Sequence, residues 1–185
     1  MKEDDIHREI LKEALAEKEE KPSKVWPYIW VGIGLLIIIL LILAYTGGIS
    51  GIYFIKGRTA SGEIQNFQVD FEEGKVIFEP SVYEALKNQF LANYTAEFKV
   101  CLLGEKQGKN YIITSFYTPI IFSQDFTSVH SVQCNSSTII PLHSHPVDSC
   151  LFSDQDKASF KAFKEVNPDA IYGLMCSANR FSFIK

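Results

Sequence analysis

The chain has 185 residues and a formal net charge of −4, from 18 lysines and arginines against 22 aspartates and glutamates. This balance excludes an electrostatic case for nucleic-acid binding, while 46% hydrophobic and 22% charged residues exclude a wholly disordered chain. Four cysteines are too few for a miniature fold that depends on disulfide bonds.

Residues 1–24 form a charged segment whose apolar side chains recur at helical spacing. Six basic residues stand against eight acidic ones, so the segment is not a polybasic arm for lipid headgroups. The pattern predicts a solvated amphipathic helix, and a docking helix for a partner is the alternative.

The segment from Pro27 to Thr46, PYIWVGIGLLIIILLILAYT, contains no charged residue. At the rise of an α-helix such a run extends about 30 Å, the thickness of the hydrocarbon core of a bilayer. Trp26, Trp30 and Tyr45 lie at its two ends, where aromatic side chains favour the membrane interface. We therefore predict a transmembrane helix over 25–47 rather than a buried core helix. The run is long for a signal peptide and no Ala-x-Ala site follows it, which favours a retained anchor.

Basic residues are unevenly distributed around this segment. Four lysines lie within about 15 residues before it, whereas Lys56 and Arg58 follow it. The positive-inside rule therefore predicts a single-pass membrane protein with an inner N-terminus and an outer C-terminal domain. The triplets that begin at Asn93 and Asn135 match the N-glycosylation pattern, which agrees with an outer domain.

The rest of the chain is predicted to contain a linker with a first strand over 48–70 and one folded domain over 71–185. β-Branched and aromatic residues indicate strands, and apolar residues at helical spacing indicate helices. The first helix follows a serine cap, and the second turns Phe160 and Phe163 inward. This order of elements predicts an α+β fold with a mixed sheet flanked by helices. The predicted helices are 80–93 and 153–166, and the predicted strands are 98–103, 111–122, 127–133, 138–142, 170–176 and 180–184.

The stretch from Leu142 to Asp156 contains the residues that carry chemistry. His143 and His145 lie two apart in a predicted strand, so both imidazoles point to one face and can reach one metal ion. Asp156 lies in the first turn of the next helix, where its carboxylate can lean back toward the histidine pair. Two histidines and one carboxylate are typical of a catalytic zinc site, which keeps a fourth position open. Taken separately, a His-x-His pair is common on surfaces, and Ser153-x-x-Asp156 is also a capping box.

The combined pattern is more specific than either part. His143-x-His145-Pro146, six residues and then Ser153-x-x-Asp156 resembles the JAMM (MPN+) family of zinc metalloproteases, with every interval kept. The resemblance covers most of the predicted domain. It implies the fold of that family, a sandwich similar to that of cytidine deaminases.

The same family requires a glutamate ahead of an apolar strand that ends in glycine. Glu97 precedes Phe-Lys-Val-Cys-Leu-Leu-Gly104 and fits that spacing. Because Glu97 is the last of seven acidic residues that follow Gly57 in this region, an upstream glutamate alone has little weight. The specific observation is its position after a helix and at the head of a strand.

The resemblance implies that His143, His145 and Asp156 bind one zinc ion per chain. It implies that Glu97 takes a proton from the attacking water and delivers it to the leaving amine, and that Ser153 donates a hydrogen bond to the oxyanion. The implied reaction is hydrolysis of a peptide or isopeptide bond, in ubiquitin-like conjugates or at carrier-protein tails. The short chain after Asp156 leaves little room for the second insertion with which larger members hold ubiquitin.

One further histidine and the cysteines carry weaker signals. His130 is predicted to be a strand residue rather than a ligand. Cys101 and Cys176 lie in predicted strands and are expected to be buried apolar residues. Cys134 and Cys150 lie in predicted loops and can pair if the domain faces an oxidising space. Cys150 as a zinc ligand is an alternative, but it would close the open position of the site.

The sequence therefore predicts a membrane-anchored zinc metallopeptidase that acts on a protein or peptide substrate. The alternative is a non-catalytic MPN-like interaction module, a branch that has usually lost the ligand set that is complete here. A third interpretation keeps the zinc but assigns a small peptide or a carrier-protein tail as the substrate. Ubiquitin-like conjugates are cytosolic, so an outer domain favours general peptide cleavage. No nucleic-acid partner is expected, and no pattern indicates an oligomeric state.

Overall fold

The structure, a computed structural model, describes Arg8, Lys12 and the ranges 24–45, 55–146 and 149–185. The chain divides into two compact units, Met1–Gly48 and Ile49–Lys185. The predicted amphipathic helix over 1–24 lies outside the described residues, apart from single positions.

The first unit contains helix α1 (Trp26–Tyr45), a run of 20 residues without a charged side chain. No side chain of α1 is buried, although nearly all of them are apolar. Such exposure opposes folding in water, because each Å² of apolar surface left uncovered costs about 25 cal/mol. Helix α1 is long and apolar enough to cross a membrane, and it lies within the predicted span of 25–47.

The second unit is built on a mixed sheet of eight strands, with a separate pair of strands beside it. The strands are β1 (Gly62–Glu63), β2 (Gln68–Phe71), β3 (Gly74–Phe78), β4 (Lys99–Gln107), β5 (Asn110–Tyr117), β6 (Ile121–Gln124), β7 (Val129–Ser131), β8 (Thr138–Ser144), β9 (Tyr172–Ser177) and β10 (Arg180–Ile184). The main sheet has the order β1-β10-β9-β8-β4-β5-β3-β2. Its pairs β3–β5 and β8–β9 are parallel, and its other neighbours are antiparallel. The predicted α+β class with a mixed sheet is confirmed.

Helix α2 (Pro80–Ala92) matches the first predicted helix of the domain. It begins at Pro80, whose fixed φ suits a first helical turn, and its N-cap is Glu79 without a side-chain hydrogen bond. The predicted serine cap is therefore wrong, because Ser81 already lies inside the first turn. The largest cluster of buried apolar residues joins α2 to strands β2–β5 and β8–β10.

Helix α3 (Asp154–Val166) connects the parallel strands β8 and β9. Parallel neighbours need a crossover of this kind, whereas a tight hairpin suffices for antiparallel ones. The N-cap of α3 is Ser153, and its buried residues are Phe160 and Phe163, both as predicted. Phe163 belongs to a second, smaller apolar cluster, so the two helices pack on different clusters.

The strand predicted over 111–122 is divided in the structure. Strand β5 ends at Tyr117 and β6 begins at Ile121, with Pro119 between them. A proline has no backbone N–H to donate to a neighbouring strand, so it interrupts the pairing. Strand β6 then pairs with β7 in a hairpin that is separate from the main sheet.

All four cysteines form disulfide bonds, Cys101 with Cys134 and Cys150 with Cys176. Cys101 and Cys176 are buried as predicted, but they are not free, and pairing of Cys134 with Cys150 is wrong. The reason is tertiary, since the fold brings each loop cysteine to a strand cysteine. The bonds join residues 33 and 26 positions apart. In the chain-entropy model, each such bond stabilises the fold by about 3–4 kcal/mol.

Candidate metal centre

The end of β8 that carries the histidines is held by strands on both sides. In the register of the sheet, Lys99 of β4 pairs with His143 of β8. On the other side, the backbone N–H of His145 donates a hydrogen bond to the carbonyl of Met175 on β9 (3.0 Å). Because successive side chains of a strand alternate in direction, His143 and His145 point to the same side.

His143, His145 and Asp156 place their ligand atoms around one point. Nε2 of His143 lies 3.2 Å from Nε2 of His145 and 3.1 Å from Oδ1 of Asp156. Nε2 of His145 lies 3.7 Å from Oδ2 of Asp156. Two nitrogen ligands of a tetrahedral zinc ion, each at about 2.0–2.1 Å, lie about 3.3 Å from each other. These separations fit zinc, so the predicted set is present as a group that can hold a metal ion.

The two imidazoles are oriented in different ways. Nδ1 of His145 lies 2.9 Å from the carbonyl oxygen of Ser149, a hydrogen bond that directs Nε2 toward the site. Nδ1 of His143 is buried and has no hydrogen-bond partner within the described part of the chain. The His143 ring is instead packed against the Tyr172 ring, with their centroids 5.3 Å apart. Packing therefore holds His143, and a hydrogen bond holds His145.

Burial and neighbouring charges shift the ionisation of the candidate ligands. Burial lowers the pKa of His143, which favours the neutral imidazole that binds metals. Burial also opposes the charged form of His145, but the nearby Asp156 and Glu97 carboxylates outweigh it and raise the pKa of His145. Burial acts against the charge of Asp156 too, but His143 at hydrogen-bond distance and the nearby His145 hold the pKa of Asp156 well below its usual range. The carboxylates create a negative environment that a bound cation neutralises.

Glu97 faces the ligand set from just before β4. Its Oε1 lies 3.7 Å from Nε2 of His145, and its side chain is only 9% exposed. The Glu97 backbone N–H donates a 2.7 Å hydrogen bond to the carbonyl of Asp125, which fixes this end of the strand. Burial raises the pKa of Glu97 to about 7, with His145 opposing the rise and Asp156 adding to it. A carboxyl group with this pKa both accepts and releases protons near neutral pH.

Ser153 is at once the N-cap of α3 and part of the same site. Its hydroxyl donates to Oδ2 of Asp156 (2.7 Å) and accepts from the Asp156 backbone N–H (3.1 Å). The Ser153 backbone N–H also donates to Oδ2 of Asp156 (2.7 Å), which completes a capping box. The other oxygen of Asp156 faces His143. The capping role and a metal-binding role of Asp156 are therefore compatible, because one carboxylate can serve both.

The candidate ligands line a cavity of about 290 Å³. The turn of the β6–β7 hairpin, from Phe126 to Val129, forms one wall. Lys99 and Tyr172 line the cavity as well, and sequence reasoning missed both. The spacing of Lys99, two residues after Glu97 at the head of a strand, is a signal that could have placed it on the same face. Tyr172 has no such signal.

The weaker candidates lie outside the ligand group. His130 is an exposed residue of β7 and is not one of the three grouped ligands. Cys150 is bonded to Cys176, so its sulfur is not available as a thiolate ligand.

No protein-family model matches the chain, and a search of curated proteins finds no match either. The interpretation of the site therefore depends on its own residues and geometry.

Adding zinc to metal-free protein is expected to raise its melting temperature. A ligand present at 100 times its dissociation constant stabilises the folded state by about 2.7 kcal/mol, or roughly 5–10 °C for a domain of this size. The measurement is thermal unfolding of the full chain in detergent, with and without zinc. His145→Ala should abolish the shift, whereas His130→Ala, the matched control, should retain it. An equal shift in both variants would locate the bound zinc elsewhere.

Proposed function

We propose that the chain is a membrane-anchored, zinc-dependent peptide hydrolase of the JAMM type. The observation that carries the proposal is the meeting of three ligand atoms with a buried glutamate in one cavity. His143, His145 and Asp156 would hold the metal, and Glu97 lies beside them without belonging to the ligand group. Three protein ligands leave a position open, which is typical of catalytic rather than structural zinc.

The metal, when bound, would supply Lewis acidity that activates water and polarises the scissile carbonyl. Glu97 accepts the proton that the attacking water loses as its oxygen adds to the carbonyl carbon. Glu97 then donates this proton to the leaving nitrogen, and the carbon–nitrogen bond breaks. Burial raises the pKa of Glu97, which favours its return of the proton to the leaving nitrogen, whereas the charge of a bound metal ion would favour the carboxylate that first accepts the proton. The products are a carboxylic acid and an amine.

Ser153 stabilises the negative charge that develops on the carbonyl oxygen. Its hydroxyl rotates from Asp156 Oδ2, which it contacts at 2.7 Å, toward the oxyanion. Asp156 keeps the backbone N–H of Ser153 as a donor when the hydroxyl turns away. A hydroxyl that the protein holds beside the site, and that only has to rotate, stabilises the transition state more effectively than mobile water.

A non-catalytic interaction module would have no use for this arrangement. Such a module does not need a nearly buried carboxyl group beside the ligands, because burial of an ionisable group without a task opposes stability. Glu97 has a raised pKa and faces His145 at 3.7 Å. Perturbed carboxyl groups in cavities are characteristic of functional sites. Hydrolysis is therefore the function that the geometry favours.

We further propose that the domain lies on the outer side of the membrane. Both disulfide bonds support this location, since such bonds persist in oxidising compartments and are rare in the cytosol. The distribution of lysines around α1 favours the same orientation. Extracytoplasmic peptides then replace ubiquitin-like conjugates as the substrate class.

Zinc-loaded full-length protein in detergent is expected to cleave members of a mixed peptide pool. A chelator should abolish cleavage, and added zinc should restore it, because the ligand set has no metal-independent route to an activated water. Mass spectrometry of the products measures both effects. Cleavage that persists after the metal has been removed, or its absence from fully metal-loaded protein, contradicts the proposal.

Protease added to sealed vesicles of known orientation is expected to digest residues 49–185 only in vesicles that expose the outer face of the membrane. The reason is the proposed location of the folded domain relative to α1. Immunoblotting with antibodies against each end of the chain measures the protected fragment. Detergent-treated vesicles are the control, in which both orientations should be digested. Protection of the domain in right-side-out vesicles would place it in the cytoplasm.

A further inference from the structure

A second cavity adjoins the metal-site cavity. It has a volume of about 230 Å³ and lies between β8 and helix α3. Three residues line both cavities, and we call them the donor passage: Lys99, Ser159 and Tyr172. Each of them carries a hydrogen-bond donor, respectively an ammonium group, a hydroxyl group and a phenol. A ligand that spans both cavities would therefore lie against these donors.

Lys99 has no ionic partner within the described part of the chain. None of the ion pairs found there includes Lys99, although the side chain is partly buried between two cavities. A desolvated ammonium group without an anion is unfavourable for folding. Among the described residues, Lys99 is not ion-paired with Glu97 or Asp156 of the same cavity, so its ammonium group can pair with an anion that a ligand brings.

The two other donors of the passage are also available to a ligand, because Ser159 is exposed and His143 Nδ1 is the one side-chain polar atom among the described residues that is both buried and without a partner. Neither the Tyr172 phenol nor the Ser159 hydroxyl makes a hydrogen bond to a described residue. The Tyr172 ring is fixed, because it is stacked on Phe160 at 5.3 Å and packed against His143. The passage therefore offers a cation and two neutral donors, one of them held rigidly.

The second cavity can hold the substrate residue that carries such an anionic group. Among the described residues that line it, none is acidic and Lys99 is the one charged group. Pro141, Ala162 and Phe163 provide apolar walls. At about 30 Å³ for each water of the liquid, its volume corresponds to about eight waters, which leaves room for a single residue. A peptide that crosses the metal site can place one residue there, with an anionic group at the donor passage.

We propose that the donor passage binds a carboxylate on the substrate residue next to the scissile bond. The hydrolase would then select either the free C-terminal carboxylate of a peptide, which makes it a carboxypeptidase, or an acidic side chain at that position. Both sources share the chemistry that Lys99 recognises, a carboxylate that accepts charge-assisted hydrogen bonds. The inference rests on the proposed function for its substrate class, but carboxylate binding can be measured without turnover.

The test uses N-acetylated tripeptides varied at the last residue, prepared once as free acids and once as carboxamides. Zinc-loaded full-length protein should show kcat/KM values at least 10-fold higher for the free acids, because a charge-assisted hydrogen bond contributes about 10- to 100-fold. Lys99→Met should bring this ratio close to one, mainly through KM. Lys109→Met, which removes an exposed lysine from the β4–β5 turn, should keep the ratio. Lys99→Arg should restore part of the preference for free acids over carboxamides.

A second arm distinguishes the two sources of the carboxylate. Among carboxamide peptides, those with Asp next to the scissile bond should have kcat/KM values at least 10-fold higher than those with Asn only if an acidic side chain is recognised. Equal rates for free acids and carboxamides together with equal rates for Asp and Asn peptides would overturn the proposal. A preference that survives unchanged in folded Lys99→Met protein would also overturn it. Unfolding profiles establish that the variants are folded.

A binding measurement separates failure of this inference from failure of the proposed function. Calorimetric titration of zinc-loaded Glu97→Gln protein should show at least 10-fold tighter binding of the free acid than of its carboxamide. If no peptide is cleaved but this preference is present and depends on Lys99, the carboxylate site stands and hydrolysis does not. If peptides are cleaved without any such preference, hydrolysis stands and the carboxylate site does not.

Discussion

Replacement of Glu97 by glutamine is expected to reduce kcat/KM by about 10²- to 10⁴-fold while zinc remains bound. Glutamine has nearly the same size and shape, but its amide cannot take a proton from the attacking water or deliver one to the leaving nitrogen. Metal retention is expected because Glu97 is not one of the three grouped ligands, although its Oε1 lies 3.7 Å from Nε2 of His145. The variant separates chemistry from metal binding.

Steady-state kinetics and zinc analysis of the same preparation measure the two expectations together. Glu105→Gln is the matched control, because Glu105 is an exposed acid of the same strand, β4. This control should retain activity and metal. Full activity of Glu97→Gln would show that another group moves the proton, and loss of zinc from it would show that Glu97 is a ligand.

Replacement of Ser153 by alanine should lower kcat by about 10²- to 10³-fold, the usual effect of removing one donor to an oxyanion. Stability should fall much less, by about 1 kcal/mol, because alanine cannot accept the hydrogen bond from the Asp156 backbone N–H that the cap provides. The two effects come from the same hydroxyl group but differ greatly in size.

Ser153→Gly and Ser153→Thr distinguish the cap from the chemistry. Replacing an N-cap serine by glycine lowers the stability of a helix by only about a few tenths of a kcal/mol. The replacement nevertheless removes the hydroxyl. The glycine variant should therefore be nearly as stable as the parent and as inactive as the alanine variant. Threonine keeps the hydroxyl and should restore activity. Activity that follows melting temperature across the three variants would reduce Ser153 to a structural cap.

Local patterns were sufficient for the parts of the site that lie close together in sequence. The interval from His143 to Asp156 contains the strand end, the loop and the helix start, so each ligand is positioned by secondary structure that the sequence itself indicates. The position of Glu97 could be predicted for a similar reason, because Glu97 precedes an apolar strand that pairs with the histidine strand. Helix α3 and its cap followed from the same spacing.

Features that depend on contacts between distant parts of the chain could not be predicted from the sequence. The disulfide partners could not be paired from sequence, because Cys101 meets Cys134 and Cys150 meets Cys176 only through the order of the strands. Tyr172 reaches the cavity because parallel pairing places β9 beside β8. The division of the predicted strand 111–122 was, by contrast, readable in principle from Pro119.

The double role of Asp156 affects how related sequences should be interpreted. A descendant that lost both histidines would still need Ser153 and Asp156 to start its helix, since the capping box is satisfied by these two residues alone. The Ser-x-x-Asp element can therefore persist in chains that have lost enzymatic activity. The histidine pair and Glu97 have no comparable duty in forming a helix. Under the proposed function, those three positions, rather than the whole motif, would distinguish active relatives from inactive ones in a genome survey.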